Sequence, residues 1–285
     1  MIQKRKNNIL PRLTDKSILI DYFFTKNDQP KPVVIFCHGY KGFKDWGAWD
    51  LVAEKLAEAG FFFVKFNFSY NGGTMEQPID FPDLKAFGEN NYTKELNDVQ
   101  FIIDHMTASS FEFSTEANTQ DISLIGHSRG GGIVTIKATE ESKITKLISW
   151  AGVSDYAARF PQGKALEDWK NNGVYYVING RTKQEMPHYY QFFEDFQANV
   201  NRLNIQKATE KVQIPHLIIH GTTDPAVSVE EAEKLHQWNP KSTLHLIENA
   251  DHVFGARHPW NEVVLPKDLA EVVQTTINFI SQEKV

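Results

Sequence analysis

Gly126-His127-Ser128-Arg129-Gly130 combines a hydroxyl nucleophile with very small neighbours in the pattern G-x-S-x-G. Such a run turns sharply from a strand into a helix and leaves its serine exposed at the tip. The turn strains the backbone of its central residue, so the flanking positions must be nearly free of side chain; Gly126, Gly130 and Gly131 meet that demand. A serine hydroxyl is a poor nucleophile at neutral pH. It needs an imidazole to take its proton and a carboxylate to hold that imidazole in one tautomer. Asp224, in His220-Gly221-Thr222-Thr223-Asp224-Pro225, and His252, in Ala250-Asp251-His252, follow Ser128 in that order. Asp155 is a second candidate for the acid, whereas Asp251, adjacent to His252, is expected to point away from the ring. His38 precedes the serine and is expected to brace a loop through hydrogen bonds rather than act as the base.

These residues work together only if the fold brings them to one edge. In parallel α/β sheets, ligands sit at the carboxyl ends of the strands, and each candidate lies just after a strand-like run. Val33-Val34-Ile35-Phe36-Cys37 is a β-branched and aromatic run of the kind buried on both faces. It leads into His38-Gly39-Tyr40-Lys41-Gly42, where two glycines permit a tight loop with backbone N–H groups turned toward a ligand, the candidate oxyanion site. Further strands are predicted over 61–68, 121–125, 146–150, 214–220 and 243–247, and an antiparallel edge over 8–13 and 17–24. Helical spacing of apolar residues marks 46–59, 96–106, a helix opened by the capping box Ser228-x-x-Glu231, and a closing helix after Pro266. The segment 71–90, with Asn71-Gly72-Gly73 and several prolines, is read as a loop. Repeated β-α units mean a mostly parallel sheet of about eight strands flanked by helices.

The alternation stops between Val153 and Lys211, a stretch dense in aromatics with a hairpin expected at Asn179-Gly180. It is read as a cap inserted after the sixth strand, leaving 1–152 and 212–285 as the core domain. Trp169, Tyr175 and Tyr176 in that segment, and Phe254 beyond it, are candidates for contact with substrate. The alternative for such aromatics is a second packing layer.

Composition narrows the partners. Thirty basic and thirty-six acidic residues give a net charge of −6, and the basic residues are scattered rather than striped, which argues against nucleic acid. The longest apolar runs are strand-length, far below the ~20 residues of a membrane span. The first residues are basic but lack the apolar core of an export signal. The one cysteine, Cys37, excludes an internal disulfide and suits a reducing compartment, so a cytoplasmic location is expected. The ten histidines show no H-E-x-x-H or paired Cys/His spacing, so neither a metal nor a cofactor is expected.

With these motifs in order, the chain resembles the α/β-hydrolase superfamily, in particular its dienelactone-hydrolase-like and cinnamoyl (feruloyl) esterase-like members. The likeness covers nearly the whole chain and rests on His38-Gly39-Tyr40, Gly126-His127-Ser128-Arg129-Gly130-Gly131, His220-Gly221-Thr222-Thr223-Asp224-Pro225 and Ala250-Asp251-His252. It implies Ser128 as nucleophile, Asp224 as acid, His252 as base, and the backbone N–H groups of Tyr40 and Arg129 as the oxyanion hole. The activity implied is cleavage of a small-molecule carboxylic ester through an acyl-enzyme on Ser128. The same triad serves small-peptide and amide hydrolases of the prolyl-oligopeptidase kind and thioesterases, and a ligand-binding protein can keep the fold without turnover. Proteins of that last kind commonly lack a triad residue, and all three are present here.

Overall fold

In the computed structural model, which describes residues 1–282, the apolar runs become strands and the alternation read from the sequence becomes a layered α/β fold. In chain order the elements are β1 (Ile2–Leu10), β2 (Ile18–Thr25), β3 (Lys31–Cys37), α1 (Trp49–Glu58), β4 (Phe62–Phe66), α2 (Leu84–Glu89), α3 (Tyr92–Thr107), β5 (Ala117–His127), α4 (Arg129–Glu140) and β6 (Ile144–Trp150). There follow α5 (Lys164–Asn172), β7 (Val174–Ile178), β8 (Glu185–Tyr189), α6 (Gln191–Ala198), α7 (Ile205–Lys211), β9 (His216–Gly221), α8 (Val229–Trp238), β10 (Thr243–Ile247) and α9 (Lys267–Ile280). Eight strands form one sheet in the order β1-β2-β4-β3-β5-β6-β9-β10. β1 and β2 pair antiparallel at one edge, as do β2 and β4; every pairing from β4 to β10 is parallel.

The period-2 pattern of a strand divides the core between the two faces of this sheet. Along β3, Val33, Ile35 and Cys37 face one apolar cluster, with Leu96 and Val99 of α3 and Ile133 and Val134 of α4. Val34 and Phe36 face the other, with Val52 and Leu56 of α1 and Leu269 and Val272 of α9. Both faces are therefore covered, which is why the central strands read as unbroken apolar runs.

Several boundaries differ from expectation for identifiable reasons. β1 spans Ile2–Leu10 instead of 8–13, since its basic residues are satisfied outside the core: Lys4 pairs with Glu54 and Lys6 with Asp50. Charged side chains on an edge strand also discourage pairing with another chain. The presumed loop at 71–90 contains α2, whose N-terminus is capped by Asp83 accepting from the Ala86 N–H at 2.9 Å. The capping box at Ser228 does not form. Glu231 turns away to accept from the Ser154 N–H at 2.7 Å and to pair with Arg159, so a tertiary contact outcompetes the local motif.

Between β6 and β9 the chain leaves the sheet. The β7–β8 hairpin packs on α2, and α7 returns to pack against α4 and α8. Most aromatics of this segment pack inward: Tyr156 stacks on Tyr92 with ring centroids 3.7 Å apart, and Phe160, Phe192 and Phe196 close around Tyr92. Among the described residues no helix is long and apolar enough to cross a membrane.

An ionic cluster with a buried centre anchors the chain beyond the loop at 38–42. The ammonium groups of Lys44 and Lys65 both lie 2.9 Å from Asp21 Oδ2, and none of the three side chains is exposed. Asp45 and Asp50 complete the cluster, 2.5 Å and 2.7 Å from Lys65. Burial would lower the Lys65 pKa, but Asp21, Asp45 and Asp50 raise it above its ordinary value. Asp21 is the wholly buried anion of the cluster, and without it the two buried ammonium groups are left to share the partly exposed Asp45 and Asp50. Asp21→Asn is therefore expected to lower the unfolding free energy in urea by about 3–5 kcal/mol. A change below about 1 kcal/mol, the scale of a surface pair, would show that the cluster contributes little.

Candidate active site

The elbow is built by β5 running directly into α4. Ser128 between them adopts φ 57° and ψ −120°, a conformation rare for a residue with a side chain. Its N–H donates to the Trp150 carbonyl at 2.9 Å, and its carbonyl accepts from Gly131 and Val153 at 3.0 and 3.2 Å, so neighbouring backbone holds the strained turn. Two glycines allow the close approach this needs. A Cβ on Gly130 would lie 2.4 Å from the Cys37 carbonyl oxygen, and one on Gly39 would lie 2.8 Å from Ser128 Cβ.

Asp224 and His252 meet at the carboxyl ends of β9 and β10. His252 Nδ1 lies 2.7 Å from Asp224 Oδ2, and donates to it, which leaves Nε2 of a neutral ring without a proton. Asp224 Oδ1 accepts from the N–H groups of Ala226 and Val227 at 2.8 and 2.9 Å, so the carboxylate is oriented before any ligand binds. Burial alone would raise its pKa. Hydrogen bonds from His220, from His252 and from the Val227 N–H more than offset that and hold the carboxyl well below its ordinary range. Asp155 lies elsewhere: it is exposed, and its carboxylate accepts from the Ala157 N–H at 2.7 Å.

The loop after β3 lies beside the elbow. Neither the Tyr40 N–H nor the Arg129 N–H has a hydrogen-bond partner among the described residues, and both residues line the same cavity as Ser128. His38 ties the loop down, its Nδ1–H donating to the Gly39 carbonyl at 2.9 Å while Nε2 accepts from the Phe68 N–H at 3.3 Å. Burial keeps this ring neutral, with its pKa lowered to about 4.

A cavity of about 460 Å³ opens over Ser128 and His252, walled by Tyr92, Tyr156, Tyr175 and Phe192. Of the four aromatic candidates, only Tyr175 lines it. Successive strand residues face opposite ways, so Tyr176 on the same strand is 58% exposed. Trp169 is 1% exposed, packs beneath Tyr175, and donates its indole N–H to the His188 carbonyl at 2.7 Å. Phe254 is wholly buried in the core with Leu269 and Val272, because the chain after His252 turns back onto α9. Trp169, Tyr176 and Phe254 are therefore not placed to touch a ligand in this cavity.

Sequence reasoning did not single out His127 or His188, and it named Arg129 for its backbone N–H but not for its side chain; all three enter the site. His127 donates Nε2–H to the His252 carbonyl at 2.9 Å, and burial followed by the neighbouring His252 lowers its pKa to about 3. His188 accepts from the Tyr40 hydroxyl at 2.9 Å, joining β8 to the loop after β3. The Arg129 guanidinium, 3.3 Å from the buried Glu95, lies over the Tyr40 ring at 4.5 Å and forms part of the cavity wall. His127 and Arg129 flank the serine within the motif, and that adjacency was the available signal. His188 had none, since its partner lies 148 residues away.

Comparison with known proteins places the fold and the family. The fold is shared with Est1E from Butyrivibrio proteoclasticus, solved with ferulic acid bound: TM-score 0.68, 19% identity, 93% of this chain and 94% of that one. It is also shared with a monoacylglycerol lipase from Paleococcus ferrophilus: TM-score 0.63, 17% identity, 92% and 98%. A Bacillus subtilis (strain 168) relative, uncharacterized peptidase YtmA, is 31% identical over 121 residues, a match spanning 41% of each chain. The sequence model of the dienelactone hydrolase family matches residues 20–283, nearly the whole chain, and the protein belongs to that family of α/β hydrolases.

Proposed function

We propose that this hydrolase is a serine esterase acting on a small-molecule carboxylic ester. Ser128 Oγ attacks the carbonyl carbon as its proton passes to His252 Nε2, and the N–H groups of Tyr40 and Arg129 receive the developing oxyanion. The imidazolium then protonates the departing alkoxide, and water activated by the same ring releases the acid from Ser128. The observation that carries this reading is the 2.7 Å His252–Asp224 contact, which fixes the one tautomer able to accept the serine proton, in a cavity that Ser128 also lines. Ferulic acid in Est1E and the lipase among the structural relatives favour an ester over an amide. The peptidase relative makes the amide the second reading. The buried, unpaired Cys37 supports a cytoplasmic setting.

A fluorophosphonate probe tests the nucleophile directly, with rapid stoichiometric labelling expected on Ser128. Labelling elsewhere, or none, sinks the serine mechanism. Faster turnover of aminoacyl anilides than of aryl esters would move the reading to the amide. The cavity wall gives a further expectation. Tyr175→Ala should lower kcat/KM for aromatic esters by about tenfold or more, while Tyr176→Ala stays near wild type, since only the first removes apolar contact from the ligand side. Equal losses in both variants would place the effect in packing of the hairpin.

A further inference from the structure

A second and smaller cavity, of about 180 Å³, also opens on Ser128. It lies between the loop after β3, Trp46 just before α1 with Trp49 at its start, and the chain around His252. Tyr40, Lys41, Ser128 and His252 line both cavities, so the nucleophile stands where the two spaces meet. The far wall is stiff. Trp49 is 2% exposed and packs on Phe36, His127 and Trp150, with ring centroids 5.0, 5.5 and 6.3 Å away. Trp46, half-buried, packs between Trp49 at 5.7 Å and the His258 ring at 6.2 Å. His258 is itself fixed, accepting from the Gly47 N–H at 2.9 Å.

An ester presents two substituents on its carbonyl carbon. With that carbon at Ser128 Oγ and its oxygen toward the N–H groups of Tyr40 and Arg129, the acyl chain and the alcohol must leave the serine in different directions. The two cavities offer those directions at unequal size. At about 30 Å³ per heavy atom, the share of one water in the liquid, the smaller holds about six heavy atoms and the larger about fifteen. We propose that the cavity walled by Trp46 is a subsite for the shorter half of the substrate. The enzyme's esters then join one short group to one bulky group, and Trp46 sets the upper limit on the short one. This rests on Ser128 as nucleophile.

Two ester series test it on the full chain: methyl esters of straight-chain acids from acetic to decanoic, and straight-chain alkyl acetates from methyl to decyl, so that the half held constant always fits the smaller space. In one series kcat/KM should fall at least tenfold once the varied group passes about six heavy atoms, the limit estimated from water-sized volumes. The other series should show no such break. Trp46→Ala should raise the ratio of long-chain to short-chain kcat/KM at least tenfold in the restricted series, whereas Tyr176→Ala, on an exposed face, should leave the break in place. If Trp46→Ala does not fold, Trp46→Leu provides the same reading with less loss of packing. Matching profiles in the two series, or a break that neither Trp46 variant moves, overturns the subsite. Ester turnover persisting in Ser128→Ala would instead sink the serine reading, so the two failures are distinguishable.

Discussion

Ser128→Ala is expected to fold normally and to hydrolyse esters about 10⁴- to 10⁶-fold more slowly than wild type, the loss that follows when one member of a cooperating nucleophile, base and acid is removed. The substitution deletes a single oxygen. The backbone that shapes the elbow is held by the Ser128 N–H to Trp150 and by Gly131 and Val153 on its carbonyl, none of which involves the hydroxyl. The strain at φ 57° is the same for alanine as for serine. Circular dichroism and thermal melting should therefore superimpose on wild type while single-turnover acylation disappears. A cleanly purified Ser128→Ala protein with more than a tenth of wild-type kcat would rule this serine out as nucleophile.

Asp224→Asn should be nearly as severe, and the hydrogen bonds say why. One oxygen of the carboxylate accepts from the N–H groups of Ala226 and Val227, and the other faces His252 Nδ1. An asparagine keeps the backbone contacts by placing its carbonyl oxygen on the first side, which turns its NH₂ toward Nδ1. The ring must then accept there and carry its proton on Nε2, so no lone pair remains for the serine proton. A wrong tautomer with intact geometry costs on the order of 10⁴ in kcat. KM should change far less than kcat, because Asp224 contacts no ligand directly. Asp155→Asn, by contrast, alters an exposed carboxylate bonded to the Ala157 N–H and should stay within about tenfold of wild type, or roughly 1.4 kcal/mol. The opposite ranking of the two variants would mean that the imidazole is oriented by a residue other than Asp224.

The order of strands and helices, the elbow and the positions of Ser128, Asp224 and His252 after their strands were legible in the chain because each rests on local constraints. Unbroken β-branched runs require burial on both faces, and a strained turn requires glycine at fixed offsets. The sheet edge at β1 and the opening of α8 were less legible. Lys4 and Lys6 found acidic partners on α1, and Glu231 found Arg159 and the Ser154 N–H instead of its own helix start. The inner surface of the site depended almost wholly on tertiary structure. Strand alternation requires Tyr175 and Tyr176 to face opposite ways, but only the packing of the hairpin onto α2 decides which of them meets the cavity. Phe254, Trp169 and Tyr175 are all aromatic residues near plausible ligand space, and only the third lies against it. Cavities are volumes left between distant segments. Their size and lining depend on side chains brought together across a hundred residues or more, such as Tyr40 with His188, or Trp46 with His258, and no local pattern encodes that meeting.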